Sequence, residues 1–439
     1  MQRRMVSSGS SSYVLLRAMR ARHGLRRAFV PPIVLTVIAV LSGTVLGSSF
    51  LSSVASFTSN ESYALLPVGG CMISPPSGWS ALAPNPARSD GPMAYDPADG
   101  YVLEFGGSAG YTTLLGDTWS YLGGCWTEGE TADTGSTCYT NPPTDTTTGP
   151  CPPPRAGANM VWDGHPADCT TLFPSDTQGC VVLFGGCTSI GSQGGGFFVG
   201  GGFACAAGTF AADTWEYYGG SWAQVTTQGT APPGRIDFGM AYDALDTKVV
   251  LVAGSTAQSC GATKCTITVT SDSWKFNGGG TNPTWTQICA AGACGSPAIS
   301  SRWGPALTYD ASDQELVLYG GSSVTASLGD AYTFTVAGGW SQLCSSCTPG
   351  LRAFAAFAWD PTYTVATLVA GYNSGTSTYD SSTYTFVTGT FTAGCNPCSF
   401  IGRSQADLAY DAGSTDGYLL MYSGGDATVS VLGDQWLYK

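Results

Sequence analysis

The chain has 439 residues, 43% of them apolar and only 11% charged, with 60 glycines, 16 cysteines and a formal charge of −13. All seven charged residues before Thr58 are Arg, so the rest of the chain carries ten basic against thirty acidic side chains, a formal −20. So acidic a body repels nucleic-acid phosphates and anionic lipid, which excludes polyanion binding, and its apolar fraction suffices for a large core.

Residues 1–57 read as an export signal. Arg3, Arg4, Arg17, Arg20, Arg22, Arg26 and Arg27 form a basic stretch, and an apolar segment runs from Ile33 to Leu46. Small residues at Gly47 and Ala55 offer cleavage points. Left uncleaved, residues 33–51 are about long enough to cross a bilayer as a tether, with the Arg cluster on the cytoplasmic side. Both alternatives export the remainder, secreted or anchored on the outer face of the cytoplasmic membrane. Residues 58–78 are a Ser-rich connector. Within it Asn60-Glu61-Ser62 fits the N-glycosylation acceptor pattern, an unmodified linker being the alternative.

From Gly91 a unit of four short strands begins. Tyr95-Asp96-Pro97 with Asp99-Gly100 supplies a turn, Tyr101 to Phe105 is an apolar run stopped by Gly106-Gly107, and the strands of Trp119 and Trp126 follow. The unit recurs six times. Its aromatic-Asp pairs are Tyr95-Asp96, Trp162-Asp163, Tyr242-Asp243, Tyr309-Asp310, Trp359-Asp360 and Tyr410-Asp411. Its third strands centre on Trp119, Trp215, Trp274, Tyr332, Tyr384 and Trp436.

On these Gly-Gly and aromatic signatures, residues 79–439 resemble the kelch family and, more loosely, the propeller of galactose oxidase. The resemblance implies an all-β, six-bladed propeller. The sixth unit ends at Lys439 without a fourth strand, and Gly78 to Leu82 has the character of the missing piece. An N-terminal strand is therefore expected to complete the last blade and close the ring. The aromatic-Asp pairs are spaced 67, 80, 67, 50 and 51 residues apart, so the first three blades carry the insertions. These fall between the second and third strands or in the links between blades, all on one face, which is where binding is expected.

An even count of cysteines in an exported chain reads as disulfides. Neighbour pairing gives Cys138/Cys151, Cys169/Cys180, Cys187/Cys205, Cys260/Cys265, Cys289/Cys294, Cys344/Cys347 and Cys395/Cys398, leaving Cys71 and Cys125. Sequence alone leaves the connectivity open. Cys344/Cys347 and Cys395/Cys398 also have zinc-ligand spacing, but export and the third pair at Cys289/Cys294 favour bridges.

Every Arg after residue 27 holds one repeat position: Arg88, Arg155, Arg235, Arg302, Arg352 and Arg403. Their expected role is a structural bidentate pair with the repeat Asp117, Asp213, Asp272, Asp330 or Asp434; the fifth blade has Ser382 there, with Asp380 close by. The alternative is an anionic ligand over the axis. Phe197, Phe198 and Phe203, on a glycine-rich insertion, either pack back or offer an apolar contact.

Catalytic signals are sparse. His23 and His165 are the only histidines, so the galactose-oxidase copper site does not carry over, and no Gly-x-Ser-x-Gly accompanies a serine nucleophile. No cofactor is expected. Carboxylate-only hydrolysis stays open, although most Asp sit at repeat positions and no off-repeat pair stands out. The sequence thus reads as an exported or cell-surface propeller that binds a glycan or surface protein through its loop-rich face. A carbohydrate-active hydrolase and a structural envelope component are the alternatives.

Overall fold

The computed structural model describes residues 80–81, 87–110, 113–128, 151–169, 178–191, 205–206, 208–260, 265–279, 282–412, 417–427 and 431–439. These form six four-stranded antiparallel sheets, the blades of a six-bladed β-propeller. Blade one is Met93–Asp96, Tyr101–Phe105, Thr118–Leu122 and Cys125–Glu128, in that order from the axis outward. Blades two to five repeat the order, with innermost strands Asn159–Asp163, Gly239–Asp243, Ala306–Asp310 and Ala356–Asp360.

The sixth blade is assembled from both ends of the chain. Asp407–Asp411, Tyr418–Tyr422 and Gln435–Tyr438 supply three strands, and Ser80–Ala81 supplies the fourth, with Ser80 opposite Leu437 and Ala81 opposite Trp436. The expected closure is thus present at Ser80–Ala81; Trp79 lies outside the described residues.

Each blade is sandwiched between two others, which explains why the second strands are continuous apolar runs instead of alternating ones. Val181, Val182, Leu183 and Phe184 are all fully buried, as are Leu316, Val317 and Leu318. Val182 and Phe184 face blade three, whereas Val181 and Leu183 face blade one. The core is therefore a ring of apolar layers between blades. Tryptophans of the outer strands stitch these layers together: Trp222 Nε1 donates to Thr118 Oγ1 of the blade before, and Trp285 Nε1 donates to Thr214 Oγ1. Trp126 does the same to Gln435 and joins blade one to blade six.

The Gly-Gly stop has two different positions. The first takes φ between 60° and 71°, which Ala253, Ala370 and Ser423 also adopt. The second takes φ between 93° and 107° and is glycine in all six blades. A Cβ on Gly254 would lie 2.8 Å from Phe238 Cβ and 3.0 Å from the Ile236 carbonyl, so both conformation and space demand glycine there.

Candidate functional site

The site is built from the links that enter each blade. Arg88 donates from both terminal nitrogens to Asp117 (3.0 Å each) and from Nη1 to the Gly106 carbonyl. Arg155 with Asp213, Arg235 with Asp272, Arg302 with Asp330 and Arg403 with Asp434 repeat the bidentate pair at 2.6–3.0 Å. In blade five Arg352 divides its donors between Asp380 (2.9 Å) and Ser382 (2.8 Å). The third-strand aromatics complete this unit. Trp119, Trp215, Trp274 and Trp436 each donate Nε1–H to the same carboxylate that holds the Arg, and the Tyr332 and Tyr384 rings lie under Arg302 and Arg352. Burial alone would raise the carboxyls of Asp213, Asp272 and Asp434. Their Arg hydrogen bonds and charges outweigh it and hold them below the usual range. Each Arg carbonyl in turn accepts from the second glycine of the preceding blade, as Arg155 does from Gly107 and Arg235 from Gly186. The guanidinium therefore ties its own blade and the main chain ties the neighbour.

Two residues beyond each Arg lies a second ring. Asp90, Gly157, Asp237, Gly304, Phe354 and Gln405 all have φ between 51° and 68°. Their main chains bond head to tail around the axis. Gly157 N–H donates to Asp90 O (2.9 Å), Asp237 to Gly157 (2.9 Å), Gly304 to Asp237 (2.7 Å), Phe354 to Gly304 (2.8 Å), Gln405 to Phe354 (3.0 Å) and Asp90 to Gln405 (3.5 Å). The side chains lean back over the preceding blade: a Cβ on Gly157 would meet Asp237 Oδ1 at 3.0 Å, and one on Gly304 would strike the Phe354 ring. Glycine at 157 and 304 makes room for those two side chains.

The ring caps an axial channel of about 480 Å³ lined by the innermost strands of all six blades. Its middle is apolar, with Met93, Met160, Met240, Leu307, Phe357 and Leu408. Its far end carries the six repeat aromatics, Tyr95, Trp162, Tyr242, Tyr309, Trp359 and Tyr410, all partly exposed. The Asp that follows each of the first five accepts turn amides; Asp243 Oδ1, for example, accepts from the Leu245 and Asp246 amides.

The capped end is chemically different. A cavity of about 120 Å³ within the ring is lined by Asp90, Asp237, Asp407, Gln405 and Asn159, among others. Behind it Glu104, fully buried, stands where the other five blades place Leu183, Leu251, Leu318, Leu368 and Met421. One Arg serves this group, since Arg88 Nε approaches Glu104 at 3.5 Å, but its other donors are committed to Asp117 and Gly106. Burial pushes Asp90 up to about 7, against a hydrogen bond from Ser89, and Glu104 up to about 8, against the Arg88 charge. Burial also raises Asp237, with the Asp90 charge adding, and Asp407, with Glu104 and Asp90 adding and Arg88 opposing. These four carboxyls escape a reading of one repeat at a time. Aligning the six units shows them: Asp90 and Asp237 answer to Gly, Phe and Gln elsewhere, and Asp407 to Pro92, Asn159, Gly239, Ala306 and Ala356.

Above the ring, the loops between second and third strands form an outer layer. Each link pairs with its own blade's loop through a single bridge, such as Ser89 with Ser108, Ile236 with Ser255 and Ala353 with Tyr372. The Ser255–Cys260/Cys265–Val269 ribbon of blade three reaches blade two, where Gln258 Oε1 accepts from the Cys205 amide at 2.8 Å. Ser327 and Ser374 bond across blades four and five. Disulfides Cys169–Cys180, Cys187–Cys205, Cys289–Cys294, Cys344–Cys347 and Cys395–Cys398 close short loops, so the two C-x-x-C pairs are bridges and not zinc ligands. Cys125 and Cys151 are also disulfide-bonded. Cys260 and Cys265 pair through their backbones across the ribbon. Cys71, Cys138, Phe197, Phe198, Phe203 and Asn60 lie outside the described residues.

No family model matches this sequence, and no curated protein matches it either. Among solved structures, one titled "Structure of YjhT" superposes with a TM-score of 0.51 at 13% identity, covering 81% of this chain and 96% of that one. At that identity the likeness is one of fold. His165, the histidine of the blade-two hairpin, is bonded to Asp168 Oδ1 (3.0 Å), whose other oxygen accepts from Lys248 Nζ (3.0 Å). That trio joins blades two and three on the face opposite the loops.

Proposed function

We propose that this protein is an exported binding module that takes a glycan or a surface protein on its loop-bearing face. One observation supports the reading above the others. Positions at the aromatic end of the channel obey the six-fold pattern without exception, whereas those at the loop end, Asp90, Gly157, Asp237, Gly304, Phe354 and Gln405, do not. Repeat positions serve the fold, and within the channel lining the departures gather at the loop end, which marks that end as selected for something else. The Cys187–Cys205 disulfide and the cross-blade hydrogen bonds pre-organise that layer, which lowers the ordering cost of binding, and disulfides are at home in an oxidising compartment.

The test is a glycan and surface-protein binding array with the full chain against a variant whose residues 192–204 are replaced by a short Gly-Ser link. Retention lost in the variant supports the reading; equal retention by both moves the site off this face. A carboxylate-based glycoside hydrolase is the second reading, favoured by the off-repeat pair Asp90 and Asp237, and turnover of a chromogenic glycoside that Asp237→Asn abolishes would establish it.

A further inference from the structure

The acidic end of the channel is unusual in its accounting of charge. Asp90, Glu104, Asp237 and Asp407 converge on one end of the axis, and the one guanidinium among them, Arg88, is already matched by Asp117. Burying carboxylates without a counter-charge is costly, so such groups either stay protonated or receive a cation. A second observation favours the cation. Gln405, only 8% exposed, lines the same cavity, and its amide Oε1 has no hydrogen-bond partner; Asp407 Oδ2 has none either. Unmatched acceptors call for a donor: the Asn159 amide of the lining already donates to the Phe238 carbonyl, and above their raised values the carboxyls hold no proton to give.

The rest of the channel says what kind of donor. Although Asp90, Asp237 and Asp407 line one cavity, no three His, Cys, Asp or Glu side chains among the described residues are grouped closely enough to hold a metal ion. An ammonium needs fewer acceptors and brings three N–H donors of its own. The two cavities share Ala158, Asn159, Pro305, Ala355, Ala406 and Asp407, so the acidic end opens into the apolar waist. Over the five residue steps from ring to aromatics the channel is about 16 Å long. Its volume, about 480 Å³, lies within the range of small-molecule sites. Six partly exposed aromatic rings surround the mouth, and aromatic faces attract cations. The acidic body steers positive charge inward.

We infer that the axial channel binds a small organic cation, a primary ammonium on an apolar or aromatic body, with the ammonium among Asp90, Asp237, Asp407 and Gln405 and the body along the methionine-lined waist. The ligand enters past the aromatic rings, on the face opposite the loops. This site shares Asp90, Asp237 and Gln405 with the loop-face reading but is reached from the opposite side.

Isothermal titration calorimetry on the full chain at about pH 8, above the value of about 7 to which burial raises Asp90, tests it with 2-phenylethylamine, its uncharged match 2-phenylethanol, and calcium chloride. The amine is expected to bind with one-to-one stoichiometry and about tenfold or more tighter than the alcohol. Asp90→Asn with Asp237→Asn should remove that advantage and leave the alcohol unchanged. Should the double variant fail to fold, Gln405→Leu takes its place and should weaken the amine alone. Equal binding of amine and alcohol, an amine affinity untouched by these substitutions, no heat from the amine, or calcium binding that displaces it would each overturn the inference.

Discussion

Burial holds Asp90 up at about 7 and Glu104 up at about 8, while both groups titrate near 4 in an unfolded chain. Between those values the folded protein keeps protons that the unfolded chain has released. Stability is therefore expected to fall as pH rises from about 4 through about 8, with Asp237 and Asp407, also raised by burial, adding to the same trend. The Arg-bound Asp213, Asp272 and Asp434 act in the opposite sense: their carboxyls are lowered, so their contribution is complete above about 4 and is lost as pH drops through the folded values. Thermal melts across this range should peak near pH 4 to 5, and Glu104→Gln should raise the midpoint at pH 8 and flatten the alkaline slope. A slope that Glu104→Gln leaves unchanged would place the proton uptake elsewhere. At the Arg ring, Arg235→Ala strands the Asp272 carboxylate and the Ala253 carbonyl against the core. It is expected to cost about 3–5 kcal/mol in urea denaturation, with part recovered by the added Asp272→Ala change.

Strand-ending turns show how conformation and composition interlock. Gly254→Ala forces a Cβ against Phe238 at φ 106° and is expected to cost about 1–3 kcal/mol, whereas Ala253→Gly, at φ 64°, should stay within about 1 kcal/mol. The same denaturation experiment distinguishes the two neighbours. This contrast also explains what was legible beforehand. The Gly-Gly stops, aromatic-Asp turns and periodic Arg positions recur six times, so each copy corroborates the others, and the Arg–Asp geometry follows from a fixed offset. The acidic cavity has no such redundancy. Glu104 interrupts a single apolar run, Asp90 and Asp237 occur in alternate blades, and Asp407 stands over 300 residues from Asp90; only the curvature that brings blade six beside blade one assembles them. The closed backbone ring was not legible either, because Asp, Gly, Phe and Gln share no side-chain chemistry, and the ring is held by main-chain groups alone.

At the scale of the molecule, closure concentrates on one seam. Removing residues 1–86 would leave the outer edge of Gln435–Tyr438 open, and unpaired edges invite pairing with other chains. Such a truncation is expected to lower the melting midpoint and to elute partly as larger species in size-exclusion chromatography with light scattering. A monomer of unchanged midpoint would show that the seam contributes little. Among the described residues the N-terminal strand brings two positions to that seam, Ser80 and Ala81, lying antiparallel to Leu437 and Trp436. Tension applied to the chain on the N-terminal side of Ser80 would be borne first by that pairing. The blade would unzip there before any other strand felt the force, so the wheel carries a mechanical fuse at the point where it is fastened.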